Sequence, residues 1–333
     1  MPGPYIASKS KQRGSPMRTI TALFVGLGSI GTRHLKNLTN LCADRGCTLQ
    51  ADALRSDLSR PLRDGVAALL HAQYTDLADA PAHYDMVFIT NPTSLHADAL
   101  TRVRGRGGAL FIEKPIFSAE QTGLDLADCL PAGQKAYVAA PMRWCGVMLA
   151  LKDRLPGLHP YCARVICSSY LPDWRPGVDY RTVYSAHKAM GGGVTIDLIH
   201  EWDYLVELFG VPEKLYNFKG TYSDLEIDSD DLSVYIARYP TLLAEVHLDY
   251  FGRGYQRSIE LFCHDGSYLA DFGAGTLTLP DGTVQHYEED VNRRYEREME
   301  YFVDYALTGS GESCNPPALA LNVLKLTLGE NVQ

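Results

Sequence analysis

The chain has 333 residues, 46% of them hydrophobic, which is enough for about two domains with cores of their own. Its formal net charge is −9, and a surface that binds nucleic acid or an anionic membrane needs concentrated positive charge instead. No apolar run reaches the roughly 20 residues of a membrane helix. Composition therefore favours a globular protein whose partner is a small molecule.

The eight cysteines show neither C-x-x-C pairs nor the spacing of zinc ligands, and no segment has the pattern of a signal peptide. We therefore expect reduced thiols, no metal site and a cytoplasmic protein. Residues 1–16 are rich in Pro, Gly, Ser and Lys and lack periodicity, which predicts a disordered extension.

From Thr19, short apolar segments alternate with helical ones, a pattern typical of a parallel sheet with helices on both faces. Residues 17–142 are therefore predicted to form a doubly wound α/β domain of the Rossmann type. The predicted strands are Thr19–Val25, Thr48–Leu54, Met86–Thr90, Ala109–Ile112 and Ala136–Ala140.

A glycine-rich segment lies between the first predicted strand and a helix-like segment. In such a loop the first Gly permits a tight turn, the second lets the backbone approach a pyrophosphate, and the third lets helix and strand pack closely. The pattern predicts a dinucleotide coenzyme, NAD or NADP, on the helix N-terminus. The predicted contacts are Gly26, Gly28, Ser29, Ile30 and Gly31.

The coenzyme preference depends on the end of the second strand. NAD-specific loops carry an acidic residue about 20 positions on, which binds the ribose diol. Here Arg55 and Ser56 occupy that neighbourhood, and an arginine suits a 2′-phosphate. The sequence leans towards NADP, with Asp52 and Asp57 as the rival positions for a ribose contact.

The third strand is followed by Asn91-Pro92-Thr93 and then His96. Because ligands bind at the carboxyl ends of parallel strands, this turn is a candidate coenzyme contact. A plain strand-to-helix turn with a capping hydroxyl is the alternative.

The fourth strand ends in Glu113-Lys114-Pro115. An ammonium at this edge can hold a substrate hydroxyl and stabilise a developing alkoxide, so Glu113 and Lys114 are candidate coenzyme contacts and Lys114 a candidate catalytic residue. The alternative is a solvated ion pair.

After about residue 145 β-rich runs follow one another, so residues 143–333 are predicted to form a largely antiparallel domain with one helix near 194–209. Asp265-Gly266 and Asp281-Gly282 predict turns. The chain from Arg293 is predicted to be helical, and so is Ala318–Leu328. The predicted strands are Cys162–Tyr170, Leu232–Arg238, Leu243–Tyr250 and Ser258–Cys263.

Three glycines, Gly191 to Gly193, precede the predicted helix. At about 100° per residue its polar members fall on one face, and a glycine run lets backbone approach a ligand. His200, oriented by the carboxylate of Asp197, is suited to accept a hydroxyl proton. The alternative is an ordinary solvated face. The predicted polar residues are Asp197, His200, Tyr204 and Glu207.

The segment before the glycine run mixes aromatic rings with charged groups, which suits the faces and hydroxyls of a sugar, while its arginines suit a phosphate or carboxylate. The alternative is a surface loop that packs against a neighbouring subunit. The candidate substrate contacts, with His200, are Arg143, Trp174, Arg175, Tyr180, Arg181 and Tyr184.

Taken together and in this order, the four motifs resemble the Gfo/Idh/MocA family of oxidoreductases over about residues 18–333. The resemblance implies a Rossmann domain and an open-faced sheet domain that contacts substrate and builds a homodimer or homotetramer, with a last helix packing back towards the N-terminal domain. It implies NAD(P)-linked oxidation or reduction of sugars and cyclitols, with Lys114 holding the reacting hydroxyl and His200 as acid or base beside Asp197.

Asp197 and His200 are three positions apart, whereas many family members separate them by four. The variant, with Tyr170 to Gly177, resembles members that act on amino sugars and polysaccharide precursors. An NAD-dependent redox-neutral glycosidase and a non-catalytic nucleotide-binding regulator are the alternative functions.

Overall fold

The computed structural model describes residues 18–332, and the extension predicted for residues 1–16 lies outside them. Within that range no helix combines the length and the apolar character that crossing a bilayer requires. All eight cysteines are free thiols.

The first sheet has six strands in the order β3-β2-β1-β4-β5-β6, with every neighbouring pair parallel. This is the Rossmann order, in which the chain switches direction between β1 and β4. The prediction omitted only the short strand β3. The strands are β1 (Thr19–Val25), β2 (Thr48–Leu54), β3 (Ala72–Tyr74), β4 (Tyr84–Ile89), β5 (Gly107–Ile112) and β6 (Lys135–Val138).

The second sheet has eight strands in the order β14-β13-β12-β11-β7-β10-β9-β8. Only the pair β7–β10 is parallel, so the sheet is largely antiparallel, as predicted. A two-residue turn just before Gly266 joins β11 to β12, and a longer turn that contains Gly282 joins β13 to β14. The strands are β7 (Cys162–Tyr170), β8 (Lys214–Gly220), β9 (Leu232–Arg238), β10 (Leu243–Asp249), β11 (Phe251–Cys263), β12 (Gly266–Asp271), β13 (Thr276–Thr278) and β14 (Val284–His286).

Two helices that come after the second sheet in the chain pack against the first domain. The resemblance predicts this for the last helix, and in the structure the helix before it also packs there. The helices are α1 (Ser29–Asp44), α2 (His96–Arg102), α3 (Leu126–Cys129), α4 (Gly146–Arg154), α5 (Val194–Asp197), α6 (His200–Phe209), α7 (Asn292–Thr308) and α8 (Pro317–Thr327).

Helix α7 packs beside α1 on one face of the first sheet, where Met299 and Phe302 join Phe24, Phe88 and Phe111 in one core. Helix α8 packs against α6 and β6 and so connects the two halves of the chain. The second sheet buries one face under α4, α5 and α6, and this core is continuous with the other side of the first sheet. The carboxyl edge of the first sheet therefore faces the start of α6.

Candidate active site

The glycine loop lies between β1 and α1. A Cβ on Gly26 would lie 2.9 Å from the Asn91 backbone, and one on Gly31 would lie 2.6 Å from the Gly26 carbonyl oxygen. A Cβ on Gly28 would meet nothing within 4 Å. Two glycines are therefore required by packing, whereas Gly28 leaves open space above the free N–H groups of Ser29 and Ile30. That space suits a pyrophosphate.

The end of β2 excludes one of the rival ribose contacts. Asp52 is 3% exposed and accepts hydrogen bonds from the Tyr84 hydroxyl at 2.8 Å and the His71 ring at 3.2 Å. Arg55 follows the strand and donates to Gln73 Oε1 at 2.8 Å. Its guanidinium also donates to the Arg60 carbonyl oxygen. The residue after Leu54, whose carbonyl oxygen accepts from the Gly26 N–H, is thus an arginine, and Ser56 next to it is exposed.

Asp57, the other rival, accepts hydrogen bonds from the backbone N–H and the hydroxyl of Ser59. These bonds and the charges of Arg60 and Arg55 lower the pKa of its exposed carboxyl. The carboxylate oxygen that accepts from Ser59 therefore closes a local turn.

In the turn after β4, the residues that line the cleft are not all the ones that were predicted to contact the coenzyme. His96 is fully buried, and its two ring nitrogens lie 3.1 Å from the Ile116 carbonyl oxygen and 3.0 Å from that of Asn91. The prediction that His96 contacts the coenzyme is therefore wrong, because its buried ring binds two carbonyl oxygens and holds the turn in place. Pro92 and Thr93 are the members of the motif that line the cleft.

Glu113 also has a partner that the sequence did not predict. The ring Nε2 of His34, on α1, donates to its Oε1 at 2.6 Å, and the Lys114 backbone N–H donates to its Oε2 at 3.1 Å. Burial alone would raise the pKa of Glu113, but the His34 bond and the positive charge of Lys114 lower it. The expected coenzyme contact by Glu113 is corrected: this carboxylate positions Lys114.

His200 is the first residue of α6. Burial, followed by the positive charges of Lys114, Arg257 and Arg294, lowers the pKa of its ring well below the usual 6.5. The imidazole is therefore neutral at pH 7 and able to accept a proton. Lys114 and His200 line the same small cavity.

The expected carboxylate–histidine pair is not formed. Helix α5 ends at Asp197 and α6 starts at His200, so the predicted single helix is interrupted at Leu198 and Ile199. Asp197 instead accepts hydrogen bonds from the hydroxyls of Tyr184 at 2.7 Å and Tyr250 at 2.6 Å. Its carboxylate orients tyrosines, not the imidazole.

The predicted polar face of this helix is wrong further along. Tyr204 is fully buried and packs against Phe272, with ring centroids 5.3 Å apart. Glu207 forms an ion pair with Lys152 on α4. Helix α6 is buried on nearly every side, so hydrophobic periodicity alone did not show which face met a neighbour.

Arg143 also departs from its expected role as a substrate contact. It is 2% exposed, and its Nε and Nη2 donate to the two carboxylate oxygens of Asp203 at 2.9 and 2.7 Å. Further bonds run to the Cys314 carbonyl oxygen and to Asn315. The guanidinium therefore joins α6 to the chain before α8.

The candidate sugar-binding segment divides into two parts. Arg181 pairs with Asp179 and Glu226, and the Glu226 backbone N–H donates to the Tyr180 hydroxyl. These contacts hold Tyr180 and Arg181 against the loop before β9, where two carboxylates already meet the charge of Arg181; that Tyr180 and Arg181 contact substrate stays a prediction. The part that remains open contains Trp174, Arg175 and Tyr184.

The Arg175 guanidinium lies 6.0 Å from the centre of the Tyr184 ring, and the Trp174 ring packs edge-on against Tyr250 at 5.2 Å. Tyr184 in turn borders a cleft of about 560 Å³ between the segments that follow β4 and β5 and the segment that leads into α5. Side chains of both halves of the chain line it, among them Pro92, Thr93, Lys114, Tyr184, Met190 and Asp197.

Comparison with known proteins agrees with this architecture. Residues 20–138 match the family model described as "Oxidoreductase family, NAD-binding Rossmann fold", GFO_IDH_MocA. A search of curated proteins found no sequence that matches the chain.

Solved structures share the fold at low identity. An oxidoreductase from Agrobacterium radiobacter, in complex with NAD⁺, L-tartaric acid and magnesium, is 17% identical with a TM-score of 0.75 over 93% of this chain and 95% of that one. A levoglucosan dehydrogenase in complex with NADH and levoglucosan is 14% identical with a TM-score of 0.78, over 94% and 96%. The WlbA dehydrogenase from Bordetella pertussis, in complex with NADH and UDP-GlcNAcA, is 19% identical with a TM-score of 0.71, over 94% and 95%.

These likenesses cover both sheets, while the family match covers the first. The resemblance drawn from the four motifs is confirmed over residues 20–138, which match the model of the Gfo/Idh/MocA oxidoreductase family with its NAD-binding Rossmann fold.

Proposed function

We propose that the protein transfers a hydride between the nicotinamide of NAD(P) and a ring hydroxyl or ketone of a sugar, amino sugar, nucleotide sugar or cyclitol. The observation that carries the proposal is that Lys114, just after β5, and a neutral His200, at the start of α6, line one cavity. Lys114 can hold the substrate oxygen and His200 can exchange its proton, and the oxidation of a carbinol needs both functions.

In the oxidation direction the neutral His200 ring accepts the proton of the substrate hydroxyl, while the Lys114 ammonium stabilises the negative charge that develops on the oxygen. Bound nicotinamide supplies the hydride acceptor. Asp197 acts through Tyr184, whose hydroxyl it holds at 2.7 Å on the wall of the cleft. Tyr184 can then accept a hydrogen bond from a second substrate hydroxyl.

A sugar-type substrate is supported by the aromatic and hydrogen-bonding side chains around the cleft. It is also supported by the ligands of two structures with a similar fold, levoglucosan and UDP-GlcNAcA. The test is to follow nicotinamide absorbance with panels of cyclitols, hexoses, uronic acids and nucleotide sugars. Reduction of the coenzyme by a member of these panels supports the proposal. Release of sugar from aryl glycosides without net coenzyme reduction would show a glycosidase, and coenzyme binding without either reaction a regulator.

For the coenzyme we infer a preference for NADP, because Arg55 and not a carboxylate follows β2 beside the glycine loop. The test is to compare the dissociation constants of NADP and NAD for the native protein and for Arg55→Gln. The variant should lose NADP affinity and keep NAD affinity. A clear preference of the native protein for NAD would contradict the inference.

A further inference from the structure

A buried pair of side chains connects α1 to Lys114. His34, in the second turn of α1, is fully buried, and its Nε2 donates to Glu113 Oε1 at 2.6 Å. The other carboxylate oxygen of Glu113 accepts from the Lys114 backbone N–H at 3.1 Å. Among the described residues no other side chain donates to this carboxylate. A buried negative charge is stable only with such partners, so the carboxylate of Glu113 depends on His34.

The surroundings of the His34 ring show which nitrogen carries its proton. Its Nδ1 is buried and has no hydrogen-bond partner among residues 18–332. A proton on Nδ1 would be a buried donor without an acceptor, which is costly, so the proton belongs on Nε2. His34 is therefore a neutral donor, and Glu113 keeps its negative charge directly before Lys114 in the chain.

The His34 ring is also held by packing. Its centre lies 4.7 Å from the centre of the Phe111 ring on β5 and 6.1 Å from that of the Tyr295 ring on α7. Rings on two other elements thus fix the direction of the Nε2 donor. The Glu113 carboxylate is consequently held at one place relative to α1.

Helix α1 also follows the glycine loop. The free N–H groups of Ser29 and Ile30 suit the coenzyme pyrophosphate at the start of the helix. The same helix, through His34 and Glu113, supports Lys114. A hydride transfer gains rate from groups that are held in the right relative geometry, and a displacement of about 1 Å is costly.

Resting on the proposed function, we propose that His34 is a positioning residue of the reaction, which holds Glu113 and thereby fixes the place and the counter-charge of Lys114 relative to the coenzyme on α1. Since the His34 ring is fully buried, it acts through Glu113 and not on the substrate.

The test compares two replacements of His34. His34→Gln keeps an N–H donor near the place of Nε2, whereas His34→Phe keeps a ring of similar size and removes the donor. The matched control is Leu38→Ala, which removes a fully buried side chain of the same core one turn further along α1. Steady-state rates, coenzyme titrations and melting curves are measured for all of them.

His34→Phe should lower kcat by roughly 10-fold to 100-fold and leave the coenzyme dissociation constant within about 2-fold of the native value. His34→Gln should recover most of the lost rate. Leu38→Ala should lower the melting temperature and keep kcat. Equal losses of kcat in His34→Gln and His34→Phe would show a merely structural histidine, and full kcat in His34→Phe would equally overturn the proposal.

A double-mutant cycle tests whether His34 acts through Glu113. Glu113→Gln removes the charge, and its combination with His34→Phe leaves no buried carboxylate without a donor, so the pair can be compared even where His34→Phe alone does not fold. The double variant should be no slower than Glu113→Gln. Losses that multiply would show that His34 acts elsewhere.

Infrared spectroscopy supplies a measurement that needs no turnover. Burial alone would raise the pKa of Glu113, and the His34 bond lowers it. The absorption of protonated Glu113, assigned by its loss in Glu113→Gln, should therefore appear at higher pH in His34→Phe than in the native protein. The other titratable groups that act on Glu113 or respond to its charge are Lys114, His96, Tyr295 and Glu298.

An infrared titration of Glu113 that is the same in the native protein and in His34→Phe would contradict the proposal. A native protein that oxidises no sugar of the panels would contradict the proposed function instead. The two failures are therefore distinguishable.

Discussion

At the scale of single residues, the proposed chemistry depends on keeping His200 neutral among positive charges. Burial and the charges of Lys114, Arg257 and Arg294 depress its pKa below 6.5. A base with a depressed pKa is lost only when the pH falls through that lower value. The acidic limb of kcat/KM for oxidation should therefore lie below pH 6.5.

Removing one of these charges tests the same argument. Arg294→Met should raise the pKa of His200 and move the acidic limb to higher pH. The limb is measured by pH–rate profiles of the native protein and the variant under identical coenzyme saturation. A native limb at or above pH 6.5, or one that does not move in the variant, would contradict this placement of the charges.

Lys114→Ala and His200→Ala should each lower turnover by about 10² to 10⁴, the usual cost of removing a general acid or base. Coenzyme affinity should be nearly unchanged, because the glycine loop is separate from both side chains. Asp197→Ala should cost less, since Asp197 acts through Tyr184 and Tyr250. Steady-state rates with coenzyme titrations decide this, and intact turnover in either of the first two variants would remove that residue from the mechanism.

At the scale of elements, the glycines of the loop meet two different requirements: Gly31 is needed for packing, and Gly28 leaves space for the coenzyme. Gly31→Ala should lower thermal stability, because the added Cβ would lie 2.6 Å from the Gly26 carbonyl oxygen. Gly28→Ala should leave stability nearly unchanged, because its φ is −70° and its surroundings are open, yet it should weaken coenzyme binding. Melting curves with and without coenzyme measure both, and equal destabilisation by the two changes would be inconsistent with this loop.

Helix α7 carries a buried acid that makes stability depend on pH. Glu298 Oε1 accepts from the Tyr137 hydroxyl and the Ala140 N–H, while its buried Oε2 has no partner among residues 18–332. Burial, with the charge of Glu113, raises its pKa from 4.5 to about 8. The folded state therefore favours the protonated acid, and this contribution is full below pH 4.5 and lost as pH rises through 8.

Glu298→Gln, which stays neutral, should flatten that dependence. The variant should gain stability relative to the native protein between pH 4.5 and 8, by about 1.4 kcal/mol for each unit of pKa shift that the native acid carries. Urea unfolding across this pH range measures the difference. A native–variant difference that is independent of pH would show that Glu298 is not a buried acid of this kind.

The elements themselves show where sequence reasoning succeeds. The strands of the first sheet and the turns at Gly266 and Gly282 follow from local patterns, because apolar runs and glycine conformations are local properties. The break between α5 and α6 does not, since Leu198 and Ile199 continue the apolar periodicity. The partners Glu113–His34 and Arg143–Asp203 were missed because they join residues 79 and 60 positions apart.

At the scale of the whole molecule, the second sheet leaves one face uncovered. Tyr216 and Phe218 on the edge strand β8 are 57% and 73% exposed, and Ile236 lies opposite Tyr216 on β9. We expect this face to join two copies of the chain. Phe218→Glu should shift sedimentation towards the monomer, whereas a native protein that sediments as a monomer would contradict the expectation.

The arrangement of the two halves was the part least accessible to sequence reasoning. An amphipathic pattern shows that α7 has a buried face but not that this face meets Phe88 and Phe111, which lie some 200 residues earlier in the chain. The effect of the Arg294 charge on His200 consequently carried no signal in the sequence, because it depends on the place where α7 returns to the first sheet. Sequence motifs were enough to find the glycine loop, Lys114 and His200. The side chains that surround them come from distant parts of the chain and could be found only from the fold.

The proposed reaction transfers a hydride from a ring carbon of the substrate to nicotinamide. Its most direct test uses the best substrate of the panels, deuterated at the carbinol carbon, with oxidised coenzyme and analysis of both products by mass spectrometry. We predict that the deuterium appears on the reduced nicotinamide and that the sugar product carries a ketone. Conversion of the sugar with the deuterium retained or exchanged into water, and no labelled coenzyme, would contradict the account.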